Sequence, residues 1–305
     1  MALRSDIPGV PPRNPGPSWG FGFLRRADAL LPRTAFDLLL GAGTWIAVAA
    51  MAERRRHSRE YLSVVRGRPA GLADVWRHFY AFMQTLMLAL RVSRGLPYRC
   101  ASGPASAPFE ALVASSRPAL FGTFHLGHSD LLGFMLGRFD RRVFMIRQRV
   151  ENSHDIDLIG RKLGGNVTFI WVNEPGALLF ALKDAVESGA SVAMKCDRLG
   201  HSSKLEAFDF LGARRLFPFT IYHLSILFRL PVILSASVAR GPAESLVHSS
   251  PIFDPDGGTK DSNLARARIH FQDFLALVEG LLREDPFRWF NFLPLNPPVP
   301  SPPDR

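Results

Sequence analysis

Apolar positions along this 305-residue chain fall into two regimes. Up to about residue 95 they form long stretches. Phe36 to Ala52 reads FDLLLGAGTWIAVAAMA, and Ala73 to Val92 reads ADVWRHFYAFMQTLMLALRV, with neither Gly nor Pro and apolar residues around most of a helical surface. Both predict helices, the second largely buried. After Gly95 and Pro97 the runs shorten. Segments rich in β-formers at Ala119 to Phe124, Val143 to Arg147, Val167 to Val172, Ser191 to Cys196 and Val232 to Ala239 alternate with helical ones at Asp130 to Leu136, His154 to Leu163, Pro175 to Ser188 and Pro218 to Phe228. That alternation predicts an α/β fold, a central, mostly parallel sheet flanked by helices. Pro175 and Pro218 stand where helices should open, since the first turn has no use for the missing N–H. A long helix is expected from about Ser262 to Arg283.

The pattern divides the chain into a proline-rich, disordered segment 1–19, a helical, membrane-associated region 20–95, an α/β domain 96–293, and a proline-rich, disordered tail 294–305. No secretory signal is visible at the start, and no repeat at solenoid periods. Phe36 to Ala52 falls slightly short of the roughly 20 apolar residues a spanning helix needs, and it contains Asp37. Arg33 before it and Arg54, Arg55 and Arg56 after it favour a membrane anchor or interfacial helix over a core helix, with the arginines at anionic headgroups on the cytosolic side.

Charge narrows the partners. Thirty-seven Lys and Arg against 27 Asp and Glu give +10, which suits nucleic acid, anionic lipid or an acidic carrier protein. No nucleic-acid motif is present, and the arginines are scattered among apolar blocks, so no nucleic-acid partner is expected. Cys100 and Cys196, without CxxC spacing, point to neither a disulfide scaffold nor a zinc site, and to a reducing, cytosol-facing location. Gly41/Gly43 and Gly164/Gly165 form no phosphate loop, so no nucleotide cofactor is expected.

The candidate chemistry lies in FHLGHSD, residues 124–130. If Ala119 to Phe124 is a strand, His125 sits beyond its carboxyl end, where ligands bind in open α/β sheets. Asp130 then falls at the start of the next helix, and the turn between them can fold its carboxylate back onto the imidazole. Such a pair makes a general base for a hydroxyl or amine nucleophile. The spacing alone is weak: with nine histidines it is expected about once by chance, and His201 with Glu206 repeats it in a polar loop. Two other readings stand beside it: a metal hydrolase with His125, His128 and Asp130 as ligands, and a basic, non-enzymatic protein that docks on membranes. His128 reads as structural, Cys196 as a small core residue, and Trp289, Phe290 and Phe292 as packing under the site.

Five blocks in order set the base reading ahead. FGTFHLGHSD, RQRVENSHDIDLIGRKLGG, VAMKCDR, FDFLGARRLFPFTIYHLSILFRLPVIL and DPFRWFNF, within roughly residues 20 to 293, resemble the lipid A late acyltransferase branch of the lysophospholipid acyltransferase superfamily. The resemblance implies transfer of a fatty acyl group from an acyl carrier protein or coenzyme A thioester to a hydroxyl or amine of a lipid or lipid-like acceptor. It implies His125 as the base, Asp130 as the acid that orients it, and Arg161 and Asp197 as residues that matter for activity. Arg147, Arg198 and Gly212, within the same blocks, are expected to bind substrate, as are Arg214 and Arg215, which read either as a basic ridge for an acidic carrier protein or as a solvated turn. No acyl-enzyme is implied, and no Gly-x-Ser-x-Gly elbow is present. Backbone N–H groups near the first helix turn, or Arg161, would serve the oxyanion. The lipid A enzymes usually carry Glu where this chain has Asp130, the residue typical of glycerolipid acyltransferases, and more often a neutral residue or His where it has Arg198; Asp-Arg and Trp-Phe-Asn-Phe blocks turn attention to other acceptors such as aminolipids or aryl polyene pigments. The expected setting is the cytoplasmic face of a bacterial inner membrane, with no metal and no cofactor beyond the thioester co-substrate.

Overall fold

A computed structural model describes residues 18–103, 106–136, 141–147, 166–172, 175–200, 202, 204–241 and 243–299. The helix expected over His154 to Leu163, together with Arg161 and His201, lies outside the described residues, as do positions 1–17 and 300–305.

Four helices open the chain: α1 (Ser18–Leu30), α2 (Arg33–Ala50), α3 (Ala52–Arg66) and α4 (Leu72–Ser93). Phe36, Leu40, Thr44 and Val48, spaced four apart, form the buried stripe of α2, and the indole of Trp76 on α4 donates to the Gly41 carbonyl at 3.2 Å. The other face of α2 stays open, with Leu38 and Ile46 at 76% and 70% exposure. After Met51 the chain bends by 99° into α3. Arg55 then reaches back to the α2 carbonyls of Val48 and Ala49 at 2.6 and 3.0 Å. One member of the basic run expected at lipid headgroups therefore caps a helix, where its charge also suits the negative end of the dipole. No single helix among the described residues is long and apolar enough to cross a membrane, although the bent α2–α3 pair passes that test by length and composition.

The rest of the chain runs β1 (Arg99–Ser102), α5 (Ala107–Ala114), β2 (Leu120–Gly127), α6 (Ser129–Met135), β3 (Val143–Arg147), β4 (Val167–Trp171), α7 (Pro175–Glu187), β5 (Ser191–Lys195), β6 (Leu205–Phe210), β7 (Ala213–Pro218), α8 (Thr220–Phe228), β8 (Val232–Gly241), β9 (Glu244–Ser249) and α9 (Lys260–Glu284), with a short 3₁₀ turn at Pro286–Arg288. Among the described residues, seven strands form one sheet in the order β1-β9-β8-β2-β5-β3-β4. β8, β2, β5, β3 and β4 are parallel, β9 runs antiparallel to β8, and β1 follows β9. The mostly parallel sheet matches the expectation. Successive residues of the central strands feed two cores: Leu120, Phe124, Val192 and Leu234 face one, and Phe121, Ala193 and Ile233 the other. Burial on both faces explains why these strands read as continuous apolar runs.

Three sequence expectations need correction. Pro218 does not open a helix. It closes β7, paired with Leu205 in a separate hairpin with β6, and α8 begins at Thr220. The hairpin turn, Leu211-Gly212, has positive φ at both residues (51° and 72°), the geometry whose twist suits a two-residue β-turn. Leu at the first position hides that turn from a sequence reading. The tail is not disordered from residue 294: Leu295 and Asn296 are buried, and the Val299 N–H donates to the Arg214 carbonyl at 2.7 Å. The first helix also begins inside the segment expected to be disordered, at Ser18.

Candidate active site

Parallel register builds the centre of the site. β2 and β5 pair Leu120 with Val192 through Thr123 with Lys195, and the Cys196 N–H continues the ladder to the Thr123 carbonyl at 2.8 Å. Two residues beyond Thr123 and Lys195, His125 and Asp197 therefore stand side by side. His125 Nδ1 lies 2.7 Å from Asp197 Oδ1, and the His125 backbone N–H donates to Oδ2 at 2.9 Å. The buried indole of Trp289 donates to the same Oδ2 at 2.8 Å. Burial resists a charge on Asp197, but His125, Arg198 and the Trp289 hydrogen bond outweigh it and hold the carboxyl below the usual range. An ionised carboxylate only accepts, so Nδ1 of His125 carries the proton and Nε2 keeps its lone pair. Burial, with the charges of Arg198 and Lys195, outweighs the pull of Asp197 and lowers the His125 pKa to about 4. At neutral pH the ring is an uncharged base.

Asp130 is not on the imidazole, as its spacing suggests. Gly127, at φ 52°, turns the chain toward α6, and a Cβ there would meet the Ser237 carbonyl oxygen at 2.2 Å. Beyond this turn the Asp130 carboxylate pairs with Lys195 Nζ at 2.9 Å. The same ammonium donates to Ser129 Oγ at 2.7 Å and to the Phe124 carbonyl at 3.1 Å. The adjacent strand delivers Asp197 to the imidazole, and the lysine two residues before it delivers a counter-charge to Asp130. Desolvation by the surrounding protein works against ionisation of Asp130, but Lys195, Arg147 and His125 prevail and keep its carboxyl below the ordinary range.

His128 points elsewhere again. It is 4% exposed, with Nδ1 3.2 Å from the Tyr98 hydroxyl, which in turn donates to Ser245 Oγ at 2.7 Å. His125, His128 and Asp130 thus face three different partners. No cluster of three His, Cys, Asp or Glu side chains suited to a metal occurs among the described residues.

The arginines divide. Arg198 donates from Nη2 to the Phe290 carbonyl at 3.1 Å, while its buried Nε has no hydrogen-bond partner among the described residues. Arg147 ends β3 with its guanidinium 5.3 Å from the centroid of the Phe169 ring. Gly212 and Arg214 are exposed at the β6–β7 turn. Arg215, expected to bind substrate, turns inward: it is 7% exposed and donates to the carbonyls of Phe210 and Asn296 at 3.2 and 2.8 Å. It ties the hairpin to the C-terminal segment. Sequence reading missed Lys195, and it gave Trp289 packing under the site or contact with an acyl chain, not a hydrogen bond to the dyad. The signal for both was faint: a lysine two residues before an acid at a strand end, and one indole N–H needing a buried partner.

No family model matches the chain, and no curated protein matches it in sequence. Among solved structures it is similar to the crystal structure of the 1-acyl-sn-glycerophosphate (LPA) acyltransferase, PlsC, from Thermotoga maritima, with 13% identity and a TM-score of 0.39, over 82% of this chain and 99% of that one.

Proposed function

We propose that this chain is an acyltransferase that moves a fatty acyl group from an acyl carrier protein or coenzyme A thioester to a hydroxyl or amine of a lipid acceptor, with His125 as general base and Asp197 as the residue that orients it. The observation that carries this reading is the 2.7 Å contact between His125 Nδ1 and Asp197 Oδ1, which leaves Nε2 of a neutral imidazole as proton acceptor in a ring that remains 21% exposed. The ordered motif blocks around it, from FGTFHLGHSD to DPFRWFNF, support the reaction class.

In this mechanism Nε2 takes the proton of the acceptor O–H or N–H as the oxygen or nitrogen bonds to the thioester carbonyl carbon. Asp197 compensates the imidazolium. The tetrahedral intermediate collapses, the C–S bond breaks, and the imidazolium returns its proton to the leaving thiolate. The charges of Arg198 and of Lys195, the latter neutralised in part by Asp130, add positive potential beside the dyad. Metal ions and further cofactors have no part in these steps.

The open faces of α1 and α2 support a lipid surface as the place of work. Trp19, Leu30, Leu38 and Ile46 are 70–81% exposed, and Arg25, Arg26 and Arg33 lie among them in sequence. A lipid-soluble acceptor and an anionic cytoplasmic leaflet fit this mixture of apolar and cationic groups.

The test incubates purified protein with palmitoyl-carrier protein or palmitoyl-coenzyme A and a total bacterial lipid extract, following free thiol and the lipids by mass spectrometry. The proposal expects thiol release matched by one new acylated lipid. No thiol release from either donor would overturn it.

A further inference from the structure

The C-terminal segment after α9 wraps the back of the dyad. Beyond the Trp289 indole on Asp197, the Phe290 N–H donates to the His125 carbonyl at 2.7 Å, and the Phe290 carbonyl receives Arg198 at 3.1 Å. Asn296 Nδ2 donates to the Asp197 carbonyl at 3.2 Å and to the Leu216 carbonyl at 2.8 Å. Leu126 and Trp289 form an isolated antiparallel bridge. His125, Asp197 and Arg198 are therefore each held by one strap, residues 289–296, more than 90 positions away in sequence.

The strap is itself fixed from the N-terminal helices. His78 Nε2 lies 2.8 Å from the Trp289 carbonyl, and His78 Nδ1 lies 2.8 Å from Ser58 Oγ. A carbonyl only accepts, so Nε2 is the donor in that bond. Ser58, His78 and Trp289 are at most marginally exposed, each at 0%, and the Tyr61 hydroxyl adds a bond to the Pro286 carbonyl at 2.8 Å. A continuous chain of contacts runs from Ser58, His78, Trp289 and Asp197, all buried, to the partly exposed His125.

Resting on the acyltransferase reading, we infer that Trp289 is a positioning residue for the reaction, whose indole N–H pins the Asp197 carboxylate in the plane that orients His125 and links the dyad to α3 and α4. A packing role alone would need no polar atom at this place, and the ring already has edge-on aromatic neighbours in Tyr61 and Phe210. Without the N–H, Asp197 Oδ2 keeps, among the described residues, the His125 backbone donor alone and is freer to rotate. Its charge is also less dispersed, so it favours the imidazolium more strongly.

Trp289→Phe tests this. The groups that set the charge on His125 are Asp197, Arg198, Lys195 and Asp130, and all remain in the variant. The expected result is a fall in kcat of about tenfold with KM within about twofold, and an upward move of the acidic limb of the pH profile by about half a unit or more. Phe82→Leu is the packing control. Phe82 touches Phe290 and Phe292 with ring centroids at 5.5 Å, and its variant should lose stability while keeping the wild-type pH limb. Should Trp289→Phe not fold, benzothienylalanine at position 289 keeps the fused ring and removes only the N–H. A folded variant with wild-type kcat and an unmoved limb would overturn the inference. Titration of His125 by NMR on the same proteins reads the shift without turnover, so a wild type that consumes no thioester refutes the acyltransferase reading, while an unmoved His125 titration refutes the positioning role.

Discussion

Asp197→Asn separates the dyad built by strand register from the one suggested by the His-x4-Asp spacing. The Asp197 carboxylate receives three N–H donors: His125 Nδ1 on Oδ1, and the His125 backbone and Trp289 Nε1 on Oδ2. An asparagine must place its NH₂ at one of these ends. At the Oδ2 position it would face two fixed donors, each leaving a buried group unsatisfied at about 1–3 kcal/mol. At the Oδ1 position it faces only the imidazole, which can shift its proton to Nε2 and accept on Nδ1. The second arrangement wins, and it puts the lone pair on the wrong nitrogen. A wrong-tautomer histidine of this kind costs about 10⁴ in kcat in the serine-protease triad, and a loss of about 10³ or more is expected here, with little change in KM. Initial-rate thiol release from palmitoyl-carrier protein, with the lipid extract as acceptor, measures it. Turnover within about tenfold of wild type in a folded Asp197→Asn protein, with Asp130→Asn inactive, would show that Asp130, not Asp197, orients His125.

Other outcomes follow from the same geometry. Asp130→Asn removes a partly exposed carboxylate paired with Lys195. It should reduce kcat by about tenfold, far less than Asp197→Asn, and cost at most about 1 kcal/mol in denaturant titration, since exposed pairs contribute little. The pKa values of His125 and His128 are lowered from 6.5 to about 4 on folding, so the unfolded chain binds the extra protons. Their stabilisation is complete above about pH 6.5 and is lost as pH falls toward 4, at about 2 kcal/mol per histidine by pH 5. Burial lowers His223, His248 and His270 in the same direction. Urea midpoints at pH 8 and pH 5 check this, and His128→Gln should abolish its own share. Gly127→Ala places a methyl 2.2 Å from the Ser237 carbonyl oxygen at positive φ, which should destabilise by about 3 kcal/mol, visible as a drop in melting temperature.

How far the fold was legible depends on where each signal lay. The five apolar strand runs around Ala119, Val143, Val167, Ser191 and Val232 announced the parallel sheet, because the central strands, buried on both faces, need continuous β-formers, and the partly exposed edge strand β4 still carries Val167, Phe169 and Ile170. The flanking strands β1 and β9 did not: Arg99–Ser102 is short, and Glu244–Ser249 alternates buried with partly exposed positions, so neither makes an apolar run. The β6–β7 hairpin was hidden because its positive-φ turn uses Leu211 and because Pro218 reads as a helix opener. At the site, the placement of His125 near the carboxyl end of the first sheet strand was legible, although β2 runs on to Gly127 and holds His125 within it; its partner was not. Asp130 is close in sequence, whereas Asp197 becomes adjacent only through the pairing of Thr123 with Lys195, a register between two separate strands. The same holds for Trp289, which meets Asp197 across 92 positions.

The central claim, that His125 is the base for direct acyl transfer, is tested most directly by chemical rescue. His125→Ala, confirmed as folded by circular dichroism, is assayed for thiol release and lipid acylation with and without added imidazole. The expected result is a loss of about 10³-fold or more, with partial restoration that grows with the concentration of neutral imidazole. Undiminished thioester turnover by the folded His125→Ala protein would contradict it.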